Sequence, residues 1–140
     1  MGTTNLDALT LTGALIADSL TGEIGYTSVA RTATADGTGT GTIADAGMIQ
    51  FVAVTSAGAN NIIVLPTPTP GTIVILYVGA NGFELRSSAP ATVAINGGSG
   101  ADVESAIAAN QIAVLICTSA TTWHGWEITG ATLTAVEAAA

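Results

Sequence analysis

The chain has 140 residues, the length of one domain, with 49% hydrophobic, 4% aromatic and 9% charged residues and a formal net charge of −8. Two arginines and no lysine cannot neutralise a phosphate backbone or an anionic bilayer, which argues against nucleic acid and membrane surfaces as partners. A charged fraction far below the roughly 25% of an ordinary domain leaves much of the surface neutral, as in a protein that works in an assembly.

Residues 1–45 read as an N-terminal arm. LDALTLTGALIADSLTGEIG alternates Leu and Ile with Thr and small residues, and Gly13, Gly22 and Gly25 interrupt it, so one or two extended segments are expected. The stretch lacks the basic start of a signal peptide, and Leu6 stands where a myristoylation signal needs Ser or Thr. ARTATADGTGTGTIADAG is Thr, Ala and Gly almost throughout and reads as a connector. Its GTGTGT run is not a dinucleotide fingerprint, because Ala44 stands in place of the third glycine.

Residues 46–140 read as an all-β core with a short C-terminal tail. MIQFVAVT, NNIIVLP, TIVILYVG, FELRSS, ATVAIN, QIAVLICT and WHGWEIT are short runs rich in β-branched and apolar residues. SAGAN, PTPTPG, GANG, SAP and INGGSG separate them with turn chemistry. Many short strands at this spacing predict a β-sandwich, jelly-roll-like. IVILYV and IAVLIC are apolar without interruption, the pattern of central strands covered on both faces. FELR alternates, with Phe83 and Leu85 on one face and Glu84 and Arg86 on the other. No apolar run approaches the roughly 18 residues of a membrane helix.

No reactive constellation can be assembled from the sequence. GGSGADVES, Gly97 to Ser105, resembles a calcium-binding nonapeptide, with Asp102 as its carboxylate. That motif works in tandem copies, and Glu104 here replaces its large apolar residue, so a plain glycine turn is expected. Cys117 reads as a buried small hydrophobe, and one Cys with one His makes no metal cluster. His124 and Trp126 share one strand face while Trp123 and Glu127 share the other, so Glu127 does not orient His124 as a base. Trp123 and Trp126 are expected at a core or subunit interface, with sugar stacking as the alternative use. Arg86, among Glu84, Asp102 and Glu104, is expected to act as a structural clasp on the SSAP turn or the glycine loop, locally or across a subunit interface. No enzyme, cofactor or metal site is expected.

The order LPTPTPG, a strand, GFELRSSAPATVAINGGSGADVESAIAAN, a strand ending in Cys, TTWHGWEITGA and a terminal AVEAAA resembles the head decoration, or cement, proteins of tailed phages of the cyanophage type. The likeness covers roughly residues 47–140 and is strongest in ELRSSAPATVAINGG. It implies a homotrimer on the outer surface of the virion head, bound to the major capsid protein and reinforcing the shell. A tail-fibre or carbohydrate- or receptor-binding β module is the alternative.

Overall fold

The computed structural model describes residues 26–100 and 104–128. The described chain is all-β, with nine strands and a single 3-10 turn. In chain order the strands are β1 (Thr27–Thr32), β2 (Ile49–Thr55), β3 (Ile62–Val64), β4 (Ile73–Val78), β5 (Phe83–Arg86), β6 (Ala94–Ile95), β7 (Ser105–Ile107), β8 (Ile112–Ser119) and β9 (Thr122–Ile128). They form a six-stranded sheet in the order β1-β2-β4-β8-β9-β6 and a three-stranded sheet in the order β3-β5-β7.

From β2 to β8 the chain changes sheet at every step. In β2–β4 and β3–β5 the chain returns from the other sheet pointing the same way as before, so these pairs are parallel without a helical crossover. The pairs β1–β2 and β6–β9 are also parallel, whereas β4–β8, β5–β7 and β8–β9 are antiparallel. A jelly roll is an antiparallel Greek-key arrangement, so the jelly-roll expectation is corrected here to two mixed sheets. Strand patterns alone carry no information about which strands pair.

Both sheets supply one core. Val52, Val54, Val74, Leu76, Leu115 and Trp123 of the large sheet meet Ile63, Phe83 and Leu85 of the small one in a single buried cluster. Those of β2, β4, β5 and β8 come from the inward positions of alternating strands, as the two-residue period of a pleated sheet requires.

The expected boundary near residue 45 is not a boundary in the described fold. Strand β1 pairs along its length with β2, and Ala33 and Ile43 are buried in the shared core. The Thr/Gly-rich connector is shaped by its glycines. Gly37 takes φ +76°, and a Cβ there would lie 2.6 Å from Val64 Cγ2, so the loop lies flat on β3 only because this side chain is missing. The run GTGTGT forms the 3-10 turn at Gly39–Gly41, after which Ile43 N–H donates to the Val64 carbonyl at 2.9 Å. The first 25 residues of the expected arm, and the tail from residue 129, lie outside the described residues.

Candidate functional site

The stretch from Phe83 to Ile107 is built from its turns. Ile95 and Gly98 exchange backbone hydrogen bonds of 3.0 and 2.9 Å around Asn96 (φ 50°) and Gly97 (φ 84°). Positive φ at both central residues is the Asn-Gly hairpin turn that such a dipeptide favours. The Asn96 side chain then works as a piece of strand. Its Nδ2 donates to the Gly125 carbonyl at 2.8 Å, and its Oδ1 accepts from the Gly125 N–H at 3.0 Å, prolonging the β6–β9 ladder by one rung.

Arg86 is placed by the alternation of β5, and its Nη2 donates to Glu104 Oε1. Leu85 pairs with Ser105, so Arg86 and Glu104 are the next cross-strand neighbours along the β5–β7 ladder, both about one-quarter exposed. The SSAP turn is held by other groups. Ser87 Oγ donates to the Val93 carbonyl at 2.8 Å, and the Gly100 N–H donates to the Pro90 carbonyl at 2.8 Å. Glu84 shares Arg86's side of the small sheet, half-buried beside Ala106. Asp102 lies outside the described residues.

The two tryptophans have opposite surroundings. Trp123 is fully buried and belongs to the core, which corrects any sugar-stacking use of this residue. Trp126 is 52% exposed and stands on the outer side of β9 with His124. Glu127 points the other way, and its Oε1 accepts from the Ala108 N–H at 2.5 Å, tying β9 to the end of β7. Cys117 is buried on β8 with its thiol donating to the Ser119 carbonyl at 3.1 Å, and burial pushes the thiol above its ordinary pKa. Among the described residues, no three His, Cys, Asp or Glu side chains converge as a metal site would require.

Clefts between the described residues include two that lie away from the outer sheet face. One follows the seam between the sheets, lined by Leu85, Ile95, Leu115 and Gly125 with Asn96 and Glu127 at its polar end. Those two polar side chains are already engaged by Gly125 and Ala108, so the seam offers a ligand little but apolar wall. The other lies between Asp45, Gln50, Thr67 and Thr72. There Asp45 Oδ1 accepts from the Thr67 N–H at 2.8 Å, while Gln50 Oε1 is buried without a hydrogen-bond partner. Nothing in the surrounding sequence of Gln50 distinguishes it from an outward strand polar residue.

The broadest feature is the outer face of the six-stranded sheet. Pairing aligns Phe51, Ile75, Val114 and Trp126 in one row across four strands, with Ser28 continuing it onto β1. The next row holds Ala30, Ala53, Tyr77, Ile112 and Ile128. A third begins with Ile49, Ile73, Ile116 and His124. Tyr26 closes the corner, its ring edge-on to Phe51 at 5.5 Å between centroids. None of these outward positions is Asp, Glu, Lys or Arg. The sequence signal was the unbroken apolarity of IVILYV and IAVLIC, read as strands covered twice. Among the described residues β4 and β8 are covered once, on the core side, and Tyr77 and Ile112 are exposed on the other.

Comparison of the chain with known protein families, curated proteins and solved structures finds no match.

Proposed function

We propose that this chain is a non-enzymatic structural protein of a phage virion, a homotrimer that binds the major capsid protein on the outside of the head and stabilises the shell. The observation that carries the reading is the broad, uncharged outer sheet face, a surface suited to contact with protein rather than to holding a small substrate. The resemblance of ELRSSAPATVAINGG to decoration proteins supports the same reading, since this stretch forms the strand, turns and clasp described above. Repetition over a shell lets each contact be weak while the total is strong.

The test is co-sedimentation of the purified full chain with heads assembled from the major capsid protein, together with the temperature at which those heads open. Binding at micromolar protein with a raised opening temperature is expected. Protein left in the supernatant with unchanged heads would sink the proposal.

A second reading, a carbohydrate- or receptor-binding module of a tail fibre, is favoured by one observation, the exposed Trp126 beside His124 on an open sheet face. Glycan-array binding that disappears in Trp126→Ala would select it.

A further inference from the structure

We propose that the outer face of the six-stranded sheet is where this chain meets further copies of itself, the rows centred on Phe51, Ile75, Tyr77, Ile112 and Trp126 packing against the outer sheet faces of the neighbouring copies. This deepens the function proposed above and rests on its self-association part alone; it needs no capsid.

Three observations select a second copy as the occupant. The first is incomplete cover. Strands β4 and β8 are apolar at every position from Ile73 to Val78 and from Ile112 to Cys117, as in strands buried on both faces. Among the described residues the core covers one face, and the outward Ile73, Ile75, Val114 and Ile116 are half-buried beside the exposed Tyr77 and Ile112.

The second is charge. Copies of a chain with net charge −8 repel one another wherever carboxylates would meet. The described carboxylates lie elsewhere: Asp36 and Asp45 in loops, Glu84 and Glu104 on the small sheet, Glu127 on the inner side of β9. The outer sheet face is thus a surface on which two copies can approach without that repulsion. A basic partner has nothing there to pair with.

The third is size. Five strands about 4.8 Å apart and about six residues long, at about 3.3 Å per residue, give a face of roughly 24 Å by 20 Å in projection. The relief of Tyr26, Phe51, Tyr77 and Trp126 enlarges its accessible area towards the about 800 Å² that each partner contributes to a specific interface.

The experiment measures native mass and sedimentation of the full chain from about 1 to 100 μM, a range that brackets ordinary self-association constants. Alongside run Phe51→Glu, Ile112→Lys and, as control on the small sheet, Ala106→Lys. All three positions are exposed in a single chain, and circular dichroism checks that each variant folds. The wild type is expected at a multiple of 13.7 kDa, with Phe51→Glu and Ile112→Lys weakening assembly at least tenfold and Ala106→Lys leaving it intact. Emission from Trp126 should shift to the blue on assembly and return in the two face variants. A wild type that stays monomeric across this range overturns the proposal, whether its Trp126 emission is shielded or exposed. A wild-type multimer that both face variants leave intact also overturns it, while the capsid reading survives. A multimer that they dissolve, but which does not bind heads, keeps this proposal and removes the capsid one.

Discussion

Arg86 on β5 and Glu104 at the entrance to β7 form a cross-strand ion pair one residue beyond the Leu85–Ser105 rung. The pair fixes the point where the chain returns to the small sheet after the glycine turn. Each partner is about one-quarter exposed, so water screens the attraction and its worth is small. Arg86→Ala and Glu104→Gln should each cost about 1 kcal/mol in urea unfolding, with a coupling of about 0.5 kcal/mol in the double variant. Fully additive effects would show that the two side chains act separately.

Trp123 is the largest fully buried side chain, and its indole N–H is buried without a partner. Trp123→Ala should destabilise by about 3–5 kcal/mol, the usual range for emptying an aromatic core site. Trp123→Phe should cost distinctly less, because it keeps a ring in the core and removes an unsatisfied donor. Thermal unfolding of the two variants gives the comparison.

Asn96 contributes through its backbone and its side chain, and substitutions separate the two. Asn96→Gly keeps the positive φ of the turn but removes both hydrogen bonds to Gly125. Asn96→Ala loses the bonds and adds left-handed strain of about 1 kcal/mol. Stability by denaturant titration should therefore fall in the order wild type, Gly, Ala. Equal stability of all three would deny the side chain its place in the ladder.

Burial raises the Cys117 thiol pKa in the folded protein. The folded state then keeps a proton that the unfolded chain releases near the ordinary thiol value of about 8.5, so this contribution is complete below that pH and is lost as pH rises through the higher folded value. The native thiol should resist an aromatic disulfide reagent at pH 8 and react at once in denaturant. Stability of Cys117→Ala should decline less between pH 8 and pH 10 than that of the wild type.

The Asn-Gly turn at Asn96–Gly97 was readable because two adjacent residues that tolerate positive φ specify a local backbone shape. The alternation of Phe83, Glu84, Leu85 and Arg86 was readable because a strand exposes its residues by turns to two faces. Arg86 could be read as a clasp, but its partner could not be chosen among Glu84, Asp102 and Glu104, since that choice depends on which strand lies beside β5. Gln50 and the second role of Asn96 had no signal, because burial and a ladder rung are set by residues distant in the chain.

By itself the sequence determined the all-β class, most strand positions, the turns between them and a surface poor in charge. These follow from local sterics, side-chain period and composition, each a property of a few neighbouring residues. Only the tertiary structure decided that the chain alternates between two sheets, that Trp123 is core while Trp126 is surface, and that residues 26–45 belong to the fold. It also decided that the apolar outward rows of β2, β4, β8 and β9 lie side by side. The reason is that pairing and burial arise from contacts between segments far apart in sequence, where local preference has no hold.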